Sequence, residues 1–144
     1  MEIYTIGFAG KTAREFFEVL KANGIQQVAD VRLNNTSQLA GFTKKSDLEY
    51  FLKNCGIDYY HLEFLAPTKE IRDAYNQGKD WSRYVTDYTH LLDERQVMKK
   101  LDEEFFRKKT CLLCSEAEPQ KCHRRLIAEY LKKSWPGIQI VHIR

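Results

Sequence analysis

Short apolar runs alternate with amphipathic helical stretches along the whole of this chain, and that alternation is its strongest constraint on a fold. Glu2 to Gly7 carries Ile3, Tyr4, Thr5 and Ile6, a β-prone run stopped by a glycine. Thr12 with Glu15 forms a capping-box pattern, Phe16, Phe17, Val19 and Leu20 recur at helical spacing, and Asn23-Gly24 ends the run. The same sequence of signals returns. Ile25 to Val31 reads as a second strand, Ser46 with Glu49 as a second capping box before Leu48, Phe51 and Leu52, and Ile57 to Leu62 as a third strand. Beyond Pro67 the period is helical from Ile71 to Phe105, with breaks at Gln77-Gly78 and between Asp93 and Gln96, predicting one long helix or two in the second part. Thr110 to Cys114 is a buried strand, a helix is expected from Pro119, and Ile138 to Ile143 closes the pattern. Strands separated by crossovers of this length pair in parallel, and a parallel sheet needs helices on both faces. The expectation is an α/β fold, a single domain over residues 1–144 with a mostly parallel central sheet of about five strands flanked by helices.

Composition narrows the setting. At 144 residues and 43% hydrophobic the chain can bury one proper core, and no Pro/Gly-rich linker, repeat or low-complexity tract divides it. No basic and then apolar leader precedes the first strand and no apolar run approaches membrane length, so a cytoplasmic protein without a membrane partner is expected. Four unevenly spaced cysteines in such a chain read as reduced thiols. A net charge of +3 and a pI near 8.6 suit an anionic ligand but fall short of a dedicated nucleic-acid binder.

Ligands of open parallel sheets gather beyond the carboxyl ends of the strands. Four strands end there in residues that a core does not need: Gly7 with Gly10, Asp30 with Arg32, His61, and Cys114 with Glu116. The segment TCLLCSEAEPQKCHRR, residues 110–125, adds Cys122, His123, Arg124 and Arg125 at a helix start, where backbone donors attract anions and the dipole lowers an imidazole pKa. Cys111, Cys114, Cys122 and His123 are ligand types that zinc accepts. Residues three apart on a strand face opposite sides, however, which separates Cys111 from Cys114, and Cys122 falls on the stripe of Leu126 and Ile127 that faces the sheet. No metal is therefore assigned, zinc at those four residues being the minor alternative, and Cys114 is the thiol most exposed to activation. A tyrosine-phosphatase-like loop would need an arginine at position 120, which is Gln, and Gly7, Gly10 and Lys11-Thr12 lack P-loop spacing.

These residues together give the chain a resemblance to the DUF488 family, small proteins named for a domain of unknown function. The resemblance rests on Tyr4-Thr5-Ile6-Gly7-Phe8, on Asp30-Val31-Arg32 with Ser37 beyond, on Tyr59 and His61, on Cys111-Leu112-Leu113-Cys114-Ser115-Glu116 leading through Pro119 to Cys122-His123-Arg124, and on His142-Ile143. Where the family tends to a leucine and glycine pair after His61, this chain reads Leu65-Ala66-Pro67. The resemblance implies an α/β domain and a site location, and brings no substrate.

The reading is of an enzyme, hydrolase or transferase, acting on a small anionic ligand that is nucleotide-like or otherwise phosphorylated. Arg32 and Arg124 are expected to clamp the anion, with Gly7, Ser37, Tyr59 and Cys114 also binding. Asp30 or Glu116 would serve as base or nucleophile and His61 or His123 would move a proton, in hydrolytic or glycosyl-transfer chemistry. Two alternatives stand beside it. Lys108-Lys109, Lys132-Lys133 and the aromatics, among them Tyr59, Tyr84 and Tyr88, suit a nucleic-acid-binding accessory protein, and the cysteine cluster suits a zinc or thiol-redox role.

Overall fold

A computed structural model describes residues 1–36 and 41–144. Its strands are β1 (Glu2–Gly7), β2 (Gln27–Asp30), β3 (Asp58–His61), β4 (Thr110–Cys114) and β5 (Gln139–His142). Its α-helices are α1 (Ala13–Ala22), α2 (Lys45–Asn54), α3 (Lys69–Gly78), α4 (Trp81–Glu94), α5 (Val97–Lys100) and α6 (His123–Ser134). The five strands form one sheet in the order β3-β2-β4-β1-β5, and every described pairing is parallel. The α/β class and the strand count read from the sequence are both present.

Strand alternation divides the core into two layers. Tyr4, Ile6, Val28, Cys111 and Leu113 pack under Phe16 and Leu20 of α1 and Leu48 and Leu52 of α2. Ile3, Ala29 and Leu112 face the other way, against Tyr84, Tyr88 and Leu92 of α4 and Leu126, Ile127 and Leu131 of α6. The first two crossovers step one way across the sheet with their helices on one face, and the next two step back with theirs on the other. A right-handed crossover requires that coupling of direction to face. The loop after β4 thus turns to one side while those after its neighbours β1 and β2 turn to the other, opening a crevice at the carboxyl end of β4.

Helix boundaries differ from the sequence pattern in two places, at the starts of α2 and α6. Thr12 caps α1 with both halves of the capping box, accepting from Glu15 N at 3.1 Å while Glu15 Oε1 accepts from Thr12 N at 3.0 Å. Ser46 does not do the same, because α2 already starts at Lys45 and its N-cap, Lys44, makes no side-chain bond. The long helical stretch divides where its pattern breaks, since Lys79 and Gln96 take left-handed φ angles of 53° and 52°. Finally, α6 begins at His123 and not at Pro119; residues 115–122 form a loop, and Cys122 is the N-cap.

Candidate active site

The loop that follows β4 is held from below. Phe8 N donates to the Cys114 carbonyl at 3.3 Å and Ala9 N to that of Ser115 at 2.9 Å, tying the loop to the end of β1. Arg124, fully buried, donates through Nη1 to the Glu116 carbonyl, through Nη2 to that of Ala117 at 3.2 Å and through Nε to Thr5 Oγ1 at 3.4 Å. Gly7 makes the approach possible, for a Cβ there would lie 1.5 Å from the Glu116 carbonyl oxygen.

Above this support lies a cavity of about 500 Å³. Cys114, Cys122 and His123 line it on the sheet side, Trp81, Tyr84 and Tyr75 on the α3–α4 side, and Arg32, Arg72, Lys79 and Lys121 bring positive charge, with Glu116 the carboxylate on its wall. Trp81 and Tyr84 stack on each other at 5.0 Å and 10°, and Lys79 Nζ sits 5.2 Å from the Tyr75 ring centroid. A cationic wall beside an aromatic one suits an anion carrying a flat group.

The three sheet-side residues form a cluster. The side-chain ligand atoms of Cys114, Cys122 and His123, all buried, lie within 4.8 Å of one another. His123 Nε2 is 2.7 Å from the Val31 carbonyl oxygen, which can only accept, so Nε2 carries a proton and Nδ1 turns to Cys114 Sγ at 3.6 Å. Hydrogen bonding from Cys122 holds the Cys114 thiol well below the ordinary thiol range; burial opposes this, and His123 and the Ser115 amide reinforce it. Cys122 is pushed up by the same bond and by burial. Burial pushes His123 down, but Cys114 and the Val31 carbonyl outweigh it, so its pKa is raised. The lowering expected from the helix dipole is thus outweighed by Cys114 and the Val31 carbonyl. Cys122 is also more than core filling, because the N-cap position places its sulfur beside Cys114. Cys111 lies on the opposite face under α1 and α2, as strand alternation requires, and burial raises its pKa.

A second polar group sits beside the cavity. Asp30 is fully buried and takes Arg32 Nε at 2.8 Å, Arg32 Nη2 at 2.7 Å, the Arg32 amide at 3.1 Å, Tyr59 Oη at 2.6 Å and Asn35 Nδ2 at 3.3 Å. Burial raises the Asp30 pKa, but the Arg32 and Tyr59 bonds prevail and the carboxyl lies below its ordinary value. Burial and Asp30 together raise the Tyr59 pKa, which keeps its hydroxyl a donor. Arg32 also donates Nη2 to the Thr43 carbonyl at 2.7 Å, and its guanidinium carbon is 5.4 Å from the Phe8 ring centroid. Its Nη1 is buried without a hydrogen-bond partner among the described residues.

Of the residues singled out from the sequence, Arg32, Cys114, Glu116 and His123 line the cavity. Gly7, Asp30, Tyr59, His61 and Arg124 stand behind its wall, and Ser37 lies outside the described residues. Asp30 is enclosed by donors from Arg32, Tyr59 and Asn35. His61 is occupied by the Arg32 carbonyl at 3.0 Å. Arg124 answers backbone carbonyls and not the Glu116 carboxylate, while Arg125 bonds Glu129 Oε2 and the Gln120 carbonyl, each at 2.6 Å. The pair of arginines expected to clamp an anion is therefore split, since Arg124 holds the loop and Arg32 alone lines the cavity. Of the three tyrosines named for stacking, Tyr84 lines the cavity and Tyr59 and Tyr88 do not. Sequence reading missed Arg72, Tyr75, Lys79, Trp81 and Lys121 on the wall; the aromatic residues at 75, 81 and 84 beside a helix break were the available signal.

Residues 12–131 match the family model described as domain of unknown function DUF488. No curated protein and no solved structure matches the chain. The matched region runs from the N-cap of α1 into α6, and so takes in Asp30, Arg32 and the whole stretch from Cys114 to Arg124. With most of its length inside that match, the chain belongs to the DUF488 family.

Proposed function

We propose that this chain is an enzyme whose cavity at the carboxyl end of β4 binds a small anionic, nucleotide-like ligand. The observation that carries the reading is Arg32, a 3% exposed arginine on the cavity wall with one buried nitrogen lacking a hydrogen-bond partner among the described residues. An unmet donor of a buried guanidinium costs about 1–3 kcal/mol, which an anion oxygen would recover. Arg72, Lys79 and Lys121 supply the field that draws such a ligand in, and Trp81 with Tyr84 and Tyr75 supply a flat apolar face. Glu116 is the carboxylate placed to act as a general base, in keeping with hydrolytic or transfer chemistry.

The basic pairs that suggested nucleic acid sit where the fold itself uses their charge. Lys132 and Lys133 occupy the last turn of α6, where the dipole favours them, and Lys108 stands 3.8 Å from Asp58 at the amino end of the sheet.

Titration of the reduced protein with inorganic phosphate, a nucleoside and its monophosphate, followed by tryptophan fluorescence, tests the reading. The monophosphate should bind at least about tenfold tighter than the nucleoside, and R72A/K121A should erase that preference, a charge effect of roughly 1.4 kcal/mol or more. Equal binding of both, or a preference untouched by R72A/K121A, would sink it.

A further inference from the structure

We propose that Cys114, Cys122 and His123 form a site for a zinc-class divalent metal, bound through the two thiolates and Nδ1, with a fourth position open to the cavity. Three features of this chain argue for it. The ligand atoms converge from the end of β4 and the start of α6, all within 4.8 Å, and Cys114 Sγ to His123 Nδ1 is already 3.6 Å. In a tetrahedral centre with metal–sulfur and metal–nitrogen bonds of about 2.3 and 2.0 Å, those two atoms would be roughly 3.5 Å apart.

The imidazole is also set as a ligand needs it. Its Nε2–H is spent on the Val31 carbonyl, the usual outer bond of a metal-bound histidine, so that the neutral ring turns its Nδ1 lone pair to the sulfurs. Tyr88 packs edge-on to the ring at 5.8 Å and is itself anchored to the Leu65 carbonyl at 2.6 Å, so the ring is held in that orientation.

Charge balance completes the case. Two thiolates and a neutral imidazole around a dication sum to zero, a combination that burial tolerates. Cys114, Cys122 and His123 all line the cavity, so a fourth ligand would come from there, as a water or an oxygen of whatever the cavity holds. Only this last point rests on the ligand reading above. Cys111 takes no part, being on the other face of the sheet.

The test uses the full chain, reduced and stripped with a chelator, then titrated with zinc and with cobalt(II). One metal per chain is expected, with the thiolate-to-cobalt charge-transfer band and strong visible absorption of a four-coordinate site. C122A and H123A should each weaken binding by roughly a hundredfold or more, while C55A and C111A should bind as the wild type. Uptake of less than one equivalent, a six-coordinate cobalt spectrum, or equal loss in C111A would overturn the assignment. A measurement on the unmodified chain guards against misfolded variants: zinc should slow alkylation of Cys114 and Cys122 while leaving Cys55 unaffected, and equal rates with and without zinc count against the site. Phosphate and monophosphate binding by C122A separates this proposal from the previous one, because anion binding that survives loss of the metal leaves the cavity reading intact.

Discussion

Asp30 and Arg32 form a buried charge pair of which only the arginine reaches the cavity. Removing one partner of such a pair strands the other charge, at a cost of about 3–5 kcal/mol, whereas replacing both with apolar groups is often neutral or better. D30N should therefore lower the unfolding free energy by that amount in urea denaturation, and D30N/R32M should be more stable than D30N alone. The pH dependence follows from the lowered Asp30 pKa. The unfolded carboxyl titrates near about 3.9, so the stability contributed by Asp30 is complete above that pH and is lost as pH falls through the lower folded value. The gap in stability between the wild type and D30N should accordingly narrow below about pH 4; a constant gap would remove the charged carboxylate from the account.

At the scale of elements, what matters is how helices begin and how closely loops approach. T12A deletes a side chain that accepts from Glu15 N, and should cost about 1 kcal/mol. S46A touches an exposed residue inside the first turn of α2 and should stay within about 0.5 kcal/mol, although the two positions carry the same sequence signature. Thermal melts of the two variants settle whether the caps are assigned correctly. Gly7 governs the loop after β4, because a methyl there would lie 1.5 Å from the Glu116 carbonyl oxygen, a backbone atom that cannot turn away, and 2.9 Å from Arg124 Nη1. G7A should destabilise by roughly 1–3 kcal/mol or more and weaken monophosphate binding together with it. Unchanged binding in a stable G7A would mean that the loop and the cavity are uncoupled.

For the whole molecule, the cavity sets one end of the parallel sheet apart from the other. The cavity lies at the carboxyl ends of the strands, whereas Lys108, Lys109, Lys132 and Lys133 lie at the amino ends or at the close of a helix that runs back towards them. K132E/K133E should leave monophosphate affinity within about twofold, since at 0.15 M salt the screening length is only about 8 Å. K121E should lower it severalfold in the same fluorescence titration. No helix among the described residues is long and apolar enough to cross a membrane.

Periodicity alone determined the α/β class, the five strands and the helices on both faces of the sheet. Each of these depends on neighbours in sequence or on a crossover rule that every parallel sheet obeys. Alternation was likewise enough to separate Cys111 from Cys114, because a strand's faces are set residue by residue. Tertiary structure alone decided the rest. Whether Arg124 met an anion or a carbonyl depended on the Glu116 carbonyl arriving over Gly7. Whether Cys122 met only apolar core or another sulfur depended on where β4 delivered the Cys114 side chain. The aromatic and cationic wall from α3 and α4 comes from residues distant in sequence, which helical spacing describes only as one face of a helix. A site is made of directions in space, and a local pattern fixes a side chain's face without saying what stands opposite it.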